Sequence, residues 1–476
     1  MPMERQNPSR WLALAASVTF AVAAPANDDA SATSAHEAAL EQVFADFIKP
    51  GEPGCSVGVA RNGALVYSSA YGLADIAARK PLTADSVFNI ASVSKEFTAF
   101  SILLLDERKA LSIDDPLIKH IPELSASARG VTVRHLLHHI GGLRDYEHLL
   151  MLKGRRFEDG ATQFESIELL GRQRGADFPP GTQYEYSNTG YLLLATVVER
   201  VSGRSMKQFA ADNIFGPLGM THTTIIDRYP AGLPQLSRGY APGKSGFDVE
   251  ESAWEQVGDG QVHTTVADLL LWAENFRTGR VGGKSLVQRM TQVGVLNSGE
   301  KLAYAAGVGI GEHNGLPTVG HGGSWAGYRS DLLMFPKQHF AVSVLCNRTD
   351  AEPDRLGISI AEIYLAEEMR RTGKKSKPSE EESRSPPAAR WQPSRLSDYE
   401  GAYWSDEAEA RCVLVQRDGH LHVEGCMPGY KLQPADDQEF YSTDASARLR
   451  FQSQAGKTAG FTLHTFGLNG LAFTRQ

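Results

Sequence analysis

The sequence has no excess of positive charge and almost no long apolar runs. Its 476 residues include 48 lysines and arginines against 56 aspartates and glutamates, which gives a formal net charge of −8. The basic residues are scattered along the chain, so we expect no nucleic acid among its partners. After the N-terminal segment no apolar stretch is long enough to cross a bilayer, so we expect no stable membrane span.

The N-terminal segment has the layout of a secretory signal peptide. Arg5 and Arg10 precede an uncharged run from Trp11 to Ala23, and Ala-x-Ala patterns end at Ala23 and Ala26. We therefore predict a signal peptide over residues 1–26 and a periplasmic or secreted mature protein. No cysteine lies at the cleavage boundary, which argues against a lipoprotein anchor, and the run is short for a retained membrane anchor.

The rest of the chain divides into a main domain, a linker and a tail. A hydrophobic content of 42% over this length predicts a large core and more than one domain. We place the main domain at 36–369. Residues 370–395 contain charge runs and prolines without an apolar period, which indicates an exposed linker. Residues 396–476 alternate like short strands and predict a small β-barrel, in which no catalytic constellation is visible.

Strand-like segments open and close the main domain, and the middle is largely helical, as at Thr189–Val201 and Asp268–Phe276. The predicted strands lie at about 55–61, 64–71, 305–311, 317–320, 328–335 and 339–346. This order predicts an α+β fold in which an antiparallel sheet is built from both ends of the domain and flanked by helices. A mostly helical subdomain would lie beside the sheet, with the site between them.

The first motif that carries chemistry is Ser92-Val93-Ser94-Lys95. The residues that follow are apolar nearly all round, which predicts a buried central helix. Ser92 would lie at the N-terminus of this helix, where free N–H groups favour developing negative charge. Lys95 would lie on the same face one turn away.

Two other serines occur in motifs of the same kind, and we reject both. Ser298 begins a second Ser-x-x-Lys, but no apolar helix follows it, so a polar loop is the better interpretation. Ser56 is the centre of a Gly-x-Ser-x-Gly pattern, which would need a strand, a sharp turn and a helix. The Asn62-Gly63 pair instead predicts a hairpin, with Ser56 inside a strand.

Two further motifs complete the parts of a serine acyl-transfer site. Tyr186-Ser187-Asn188 supplies a phenol that can relay protons, and His321-Gly322-Gly323 supplies a glycine-lined strand that can offer a backbone donor. Ser92 needs a base to attack a carbonyl, and Lys95 and Tyr186 are the available ones.

The order and spacing of the three motifs resemble the serine β-lactamase and DD-peptidase superfamily. The resemblance covers about Gly54 to Asn347 and is strongest to the branch with class C β-lactamases, DD-carboxypeptidases, D-aminopeptidases and esterases. It implies that Ser92 is the nucleophile, Tyr186 the proton relay and Asn188 a substrate contact. It also implies that His321 and Gly323, on an edge strand, contact the substrate. The backbone N–H of Ser324 would join that of Ser92 in an oxyanion hole.

The resemblance also bears on the reaction. Class C β-lactamases have lysine where His321 stands, and histidine occurs there in some DD-peptidases and D-aminopeptidases. We therefore expect an exported serine hydrolase that cleaves amide or ester bonds, most plausibly a D-amino-acid-specific peptidase of the DD-carboxypeptidase or D-aminopeptidase type. The alternatives are a β-lactamase, a small-ester esterase, or a penicillin-binding receptor or scaffold without turnover. The substrate is a small molecule or peptide, and no cofactor is expected.

The remaining polar residues have structural interpretations. His135, His138 and His139 share one helical face but lack a carboxylate or cysteine partner, so we expect no metal site. Asn347 could contact a substrate carboxylate or simply end its strand, and the tail resembles lipocalin-like tails of some family members. There are two candidate cysteine pairs. The resemblance places Cys55 and Cys346 in strands of one sheet, and Cys412 and Cys426 flank a predicted hairpin. For both pairs, buried free thiols are the simpler expectation. Cys412 and Cys426 would face each other only across a bulged hairpin turn.

Overall fold

The computed structural model describes residues 27–124, 126–229, 232–233, 235–375, 396–427, 429–436, 438–454 and 457–476. The predicted signal peptide and most of the predicted linker lie outside these residues. The described helices are α1 Asn27–Phe47, α2 Lys95–Glu107, α3 Leu117–His120, α4 Val133–Leu137, α5 Tyr146–Leu152, α6 Gln163–Gly171, α7 Asn188–Ser202, α8 Met206–Ala210, α9 Gly216–Leu218, α10 Val266–Thr278, α11 Gly283–Met290, α12 Pro353–Tyr364 and α13 Ala366–Thr372.

The main domain is built on a six-stranded antiparallel sheet in the order β10-β11-β12-β13-β1-β2. Its strands are β1 Cys55–Arg61, β2 Ala64–Tyr71, β10 Gly309–His313, β11 Leu316–Trp325, β12 Tyr328–Phe335 and β13 Phe340–Cys346. The first two strands of the domain pair with the last one, so the prediction of a sheet made from both ends is confirmed. All of β13 and most of β1 are buried, as expected of central strands covered on both faces.

Three details of the predicted sheet were wrong. The strand expected at 317–320 is β11, which extends to Trp325. The strand expected at 305–311 is β10, which begins four residues later at Gly309. The strand that carries the third motif, β11, is not the edge strand, because β10 lies outside it. However, β10 pairs only with residues Leu316–Gly320, so the half of β11 from His321 onward has a strand partner on one side, where it pairs with β12.

Seven short strands connect these elements and the helices. They are β3 Leu73–Asp75, β4 Lys80–Pro81, β5 Phe88–Asn89, β6 Thr224–Ile225, β7 Tyr240–Gly243, β8 Gly246–Val249 and β9 Val262–Thr264. Helix α2 is buried from Lys95 to Leu105, which confirms the predicted central helix. It packs against α7 and α11.

The tail is a closed eight-stranded antiparallel barrel, as predicted. Its strands are β14 Gly401–Ser405, β15 Ala410–Arg417, β16 His420–Gly425, β17 Lys431–Pro434, β18 Glu439–Ser442, β19 Ala447–Gln454, β20 Lys457–Thr465 and β21 Leu468–Arg475. Phe440, Phe451, Phe461 and Phe473 fill its interior, with successive ring centroids 4.8–5.5 Å apart. The barrel therefore has its own aromatic core.

The barrel also contacts the main domain through a buried ionic network. Arg144, which is 5% exposed, donates to Glu407 Oε2 at 2.8 Å and to the backbone oxygen of Asn469 at 3.2 Å. The backbone N–H of Asn469 in turn donates to Asp177 at 2.6 Å. Burial raises the pKa of the Asp177 carboxyl to about 7. The tail is thus fixed to the domain rather than merely linked to it.

The expectation of free thiols was wrong, because both cysteine pairs form disulfides. Cys55 and Cys346 lie directly opposite each other on β1 and β13. In the barrel, Cys412 faces Gly425 across the predicted two-residue hairpin turn. Gly425 has a φ of 85°, so the chain bends back there and brings Cys426 to Cys412 without a bulged turn.

None of the helices in the described part of the chain combines the length and hydropathy that a bilayer span requires.

Candidate active site

Ser92 lies in a tight turn that leads directly into α2. The turn comprises residues Ala91–Ser94, and Ala91 adopts a φ of 46°, which is unfavourable for a residue with a side chain. The Asn89 side chain holds this conformation by accepting the Ala91 N–H at 2.8 Å. Strain of this kind persists where the surrounding structure fixes it, here next to the predicted nucleophile.

Lys95 is fully buried one helical turn after Ser92. Its ammonium donates to Ser92 Oγ at 3.0 Å, to Asn188 Oδ1 at 2.7 Å and to the backbone oxygen of Asp259 at 2.9 Å. An ammonium has three N–H donors, and each one has an acceptor here. Lys95 therefore holds the Ser92 hydroxyl and the Asn188 side chain in fixed positions.

Tyr186 faces the same ammonium. Lys95 Nζ lies 4.8 Å from the centroid of the Tyr186 ring. Within the described residues the Tyr186 hydroxyl is buried and has no hydrogen-bond partner. A buried hydroxyl normally has a partner, so an unpartnered one beside the Lys95 ammonium is free to exchange a proton with a reacting group.

The Tyr-Ser-Asn motif is placed by the start of α7 and by a buried histidine. Ser187 caps the helix by accepting the Gly190 N–H at 3.1 Å, which leaves Asn188 in its first turn. His139 Nδ1 accepts the Ser187 N–H at 3.0 Å, and its ring lies 4.3 Å from the Tyr186 ring. Burial lowers the pKa of His139 well below its usual range, so this support is a neutral imidazole.

The third motif approaches the serine turn because of Gly323. A Cβ at this position would lie 2.3 Å from the backbone oxygen of Ile90 and 2.3 Å from Ser330 Oγ. Only glycine therefore allows β11 to pack so closely on the turn that carries Ser92. As a result Ser324 and Ser92 line the same small cavity.

His321 lies near the Tyr186 ring and is held in a neutral state. Its Nδ1 lies 2.6 Å from the backbone oxygen of Gly322 and its Nε2 lies 3.0 Å from the hydroxyl of Tyr304. The first contact requires a proton on Nδ1, so Nε2 accepts from Tyr304. Burial, with the Lys95 cation nearby, lowers the pKa of His321 to about 4.

A group of carboxylates lies next to Ser92, and these residues belong to no recognisable sequence motif. Glu147 and Asp259 line one cavity of about 50 Å³ together with Ser92, Asn188 and Ser324. Burial, with Asp145 and Asp259 close by, raises the pKa of Glu147 well above its usual range. Burial also raises the pKa of Asp259, although Lys95 opposes this shift.

The hydrogen bonds of Asp259 are incomplete. Its Oδ2 accepts the Tyr146 hydroxyl at 2.7 Å, while its buried Oδ1 has no partner among the described residues. Sequence reasoning missed these carboxylates because they come from two distant segments. The only local signal is the dense polar run Asp145-Tyr146-Glu147-His148.

The other candidate residues lie where structural roles predict. Ser298 is in an exposed turn, and Ser56 lies inside β1, where its hydroxyl donates to the backbone oxygen of Thr83 at 3.0 Å. Asn347 is buried, accepts the Gly54 N–H and donates to two backbone oxygens. It ends β13 and has no group left over for a substrate carboxylate. No group of three or more metal-ligating side chains suited to an ion occurs among the described residues.

The sequence is similar to a known family and to several known proteins. Residues 40–365 match the sequence profile of the Beta-lactamase family. Penicillin-binding protein 4* of Bacillus subtilis is 26% identical over 429 residues, which are 86% of this chain and 92% of that protein. D-aminopeptidases of Gluconobacter oxydans and Brucella canis are 29% and 30% identical over 66% and 62% of this chain. The chain spans only 59% and 56% of those two proteins.

Solved structures show the same fold. An octameric penicillin-binding protein homologue from Pyrococcus abyssi aligns with a TM-score of 0.61 and 22% identity, over 94% of this chain and 100% of that one. The D-amino acid amidase from Ochrobactrum anthropi SV3 aligns with a TM-score of 0.57 and 23% identity, over 72% and 100%. The profile match spans more than half of the sequence, and the chain therefore belongs to the Beta-lactamase family and is a serine hydrolase.

Proposed function

We propose that this protein is an exported D-aminopeptidase that releases an N-terminal D-amino acid through an acyl-enzyme on Ser92. The observation that carries the proposal is the pair of buried carboxyl groups, Glu147 and Asp259, in the cavity that Ser92 lines. The D configuration is supported by the names of relatives, which include D-aminopeptidases and a D-amino acid amidase. Export is supported by the N-terminal segment described above.

A free α-ammonium is the substrate group that suits this cavity. Asp145, Glu147 and Asp259 influence one another's ionisation, and the Lys95 ammonium acts on both Glu147 and Asp259. Asp259 Oδ1 offers an unused acceptor, and Glu147 can lose its proton when a second cation arrives. With about 50 Å³ of space, the cavity has room for only a few heavy atoms, which favours a small residue such as D-alanine.

The neighbouring groups can carry out acyl transfer by the following steps. Ser92 Oγ attacks the carbonyl carbon as its proton passes to Tyr186 acting as a phenolate, and the neighbouring Lys95 ammonium stabilises this phenolate before the transfer. Tyr186 then gives the proton to the leaving amine nitrogen as the C–N bond breaks, leaving an ester on Ser92. Water attacks that ester with Tyr186 again taking a proton, and the acid and the Ser92 hydroxyl are released.

The carbonyl oxygen becomes negative during each attack. The backbone N–H groups of Ser92 and Ser324 are the two donors we assign to it, because Gly323 brings their strand and turn together. One such donor typically contributes a factor of about 10²–10³ in rate. Asn188, held by Lys95, is positioned to contact the substrate amide.

The rival reactions have less support at this site. DD-carboxypeptidases and β-lactamases act on substrates that carry a carboxylate, and His321 is neutral near pH 7 because its pKa is about 4. A small-ester esterase would have no use for the carboxyl pair. A receptor without turnover would retain Ser92 acylation but would not release product.

The proposal is tested by a substrate panel on the wild type and the Glu147→Gln variant. We expect D-alanine p-nitroanilide to be hydrolysed faster than its L-enantiomer, its N-acetyl derivative and nitrocefin. Loss of the Glu147 charge should lower kcat/KM for the free-amine substrate about tenfold to a hundredfold, because a buried ion pair is lost. Glu168→Gln, on the exposed face of α6, is the matched control and should have no effect. Preference for the N-acetyl substrate or for nitrocefin would overturn the assignment.

A further inference from the structure

A second and much larger cavity, which Tyr186 lines, lies between the main domain and the barrel. It measures about 1290 Å³. The main-domain wall includes Met151, Tyr184 and Tyr186, and the barrel wall includes Tyr430 and Phe466. The cleft therefore exists only because the barrel is fixed to the domain, and it opens directly onto the predicted proton relay.

The cleft exposes large apolar side chains that a stable surface would bury. Phe466 is 58% exposed, Tyr184 is 43% exposed and Met151 is 39% exposed. These three belong to the small set of large apolar residues that are exposed in the described chain, and all three line this one cavity. Apolar side chains concentrated in a concave surface are typical of a ligand-binding groove.

The direction of the reaction identifies which part of a substrate meets the cleft. In the mechanism above, Tyr186 delivers a proton to the leaving nitrogen, so the leaving group departs on the side that Tyr186 faces. The acidic cavity that Ser92, Glu147 and Asp259 line measures only about 50 Å³, which leaves room for one small residue. A substrate would thus have a closed amino-terminal end and an open carboxyl-terminal end.

We propose that the cleft between domain and barrel binds the leaving peptide of the substrate, with an apolar or aromatic side chain packed on Phe466 and Met151. This inference rests on the proposed aminopeptidase function and deepens it. The enzyme would then act on peptides of several residues rather than on simple amides, and the barrel would form one wall of the substrate site.

Direct binding tests the cleft without requiring catalysis. The Ser92→Ala protein should bind the tripeptide Phe-Ala-Ala, a model of the leaving group, in calorimetry. Phe466→Ala and Met151→Ser, each added to Ser92→Ala, should weaken binding about fivefold to tenfold, since part of an apolar contact is lost. Both side chains are exposed, so neither substitution disturbs a core. The control Phe164→Ala, which removes an apolar side chain that is 70% exposed on α6, should bind normally.

A kinetic comparison separates failure of this inference from failure of the proposed function. In Phe466→Ala the ratio of kcat/KM for D-Ala-Phe-Ala-Ala over D-alanine p-nitroanilide should fall about tenfold, mainly through KM for the peptide. If the anilide is cleaved but the ratio is unchanged and the tripeptide does not bind, the cleft assignment is wrong. If neither D-aminoacyl substrate is cleaved while the tripeptide still binds, the proposed function is wrong and the cleft stands as a peptide site.

Discussion

Lys95 and Arg144 are both buried cations, but they have different acceptors. Lys95 donates to a hydroxyl, an amide oxygen and a backbone oxygen, which are all neutral. Arg144 donates to the carboxylate of Glu407, and its Nε lies 3.6 Å from Asp177. The first cation lies next to Ser92, and the second lies where the barrel meets the main domain.

The acceptors explain what each cation can do. A buried ammonium bound by neutral oxygens keeps a charge that can stabilise an anion formed next to it during a reaction. A buried guanidinium paired with carboxylates has its charge compensated, so it fixes two surfaces together instead. Burial alone therefore does not mark a catalytic cation, whereas burial with neutral acceptors beside a nucleophile does.

The largest expected effect is the loss of kcat when Lys95 or Ser92 is replaced. Ser92→Ala and Lys95→Met should each lower kcat on the order of 10⁴-fold, because nucleophile and ammonium act as one unit. Fluorophosphonate labelling followed by peptide mapping should place the adduct on Ser92 in the wild type and find none in Ser92→Ala. Ser298→Ala, in the other Ser-x-x-Lys, should label and turn over normally. An adduct that persists in Ser92→Ala would refute the assignment of the nucleophile.

Removal of the second cation should affect stability more than chemistry. Arg144→Met leaves Glu407 and Asp177 buried without their guanidinium, which should lower the free energy of unfolding by about 3 kcal/mol. Chemical denaturation measures this loss, and limited proteolysis should show the barrel released first. Arg174→Met removes an exposed arginine that lies 3.9 Å from Asp406 and should leave stability unchanged. Equal losses in both variants would mean that burial of the Arg144 network contributes nothing.

A smaller effect is expected where the barrel meets the active-site segment. The Asp145 N–H donates to the backbone oxygen of Gly467 at 2.7 Å, and Asp145 Oδ2 accepts the Asn188 N–H at 3.2 Å. Asn188 in turn binds Lys95, so the barrel loop is connected to the reaction site through only two intermediate residues.

Substitutions at two glycines of the barrel, one in contact with Asp145 and one not, test the contribution of that contact. Gly467 and Gly470 both have a φ of 68°, but a Cβ at Gly467 would lie 2.7 Å from Asp145 Cβ, whereas a Cβ at Gly470 meets nothing within 4 Å. Gly467→Ala should therefore cost about 1–2 kcal/mol more in unfolding free energy than Gly470→Ala, and it should also lower kcat/KM. Identical behaviour of the two variants would show that the loop makes no tight contact.

The smallest effect is expected at His321. Its pKa of about 4 in the folded state lies below the ordinary value of 6.5, so the folded protein binds this proton less readily than the unfolded chain. The stability that this group contributes is fully present above pH 6.5 and is lost as the pH falls toward 4. His321→Asn should lack this part of the acid sensitivity when unfolding is measured at several pH values. The pH profile of kcat/KM near neutrality should keep its shape in the variant, and a lost ionisation there would contradict a neutral His321.

The sequence was informative wherever a local pattern determines structure. The apolar run after Lys95 predicted α2, and Asn62-Gly63 predicted the β1–β2 hairpin with both strands at their observed bounds. The alternating tail predicted a barrel. The first two motifs meet at Lys95, which donates to Ser92 Oγ and Asn188 Oδ1, and Ser324, just after the third motif, lines the same small cavity as Ser92.

Features set by distant contacts could not be predicted in this way. Glu147 and Asp259 come together only when α5 packs against the segment before β9, and their spacing in the sequence gives no sign of this contact. The position of β11 inside the sheet depends on a short partner, β10, whose glycine-rich sequence gives a weak strand signal. Disulfide pairing of Cys412 with Cys426 depends on the backbone bend at Gly425. The Arg144 network also joins distant segments, because Glu407 lies 263 residues after Arg144 in the chain.

The most direct test of the account is to trap the acyl-enzyme with a D-alanine ester and with its N-acetyl counterpart. Esters are more reactive acyl donors than amides, so rapid quenching and mass spectrometry of the intact protein can follow the adduct before hydrolysis, and peptide mapping can locate it. We expect a D-alanyl adduct on Ser92 that forms at least about tenfold faster from the free-amine ester, because only that ester places an ammonium beside Glu147 and Asp259. An adduct on another residue, or equal rates from both esters, would contradict the account.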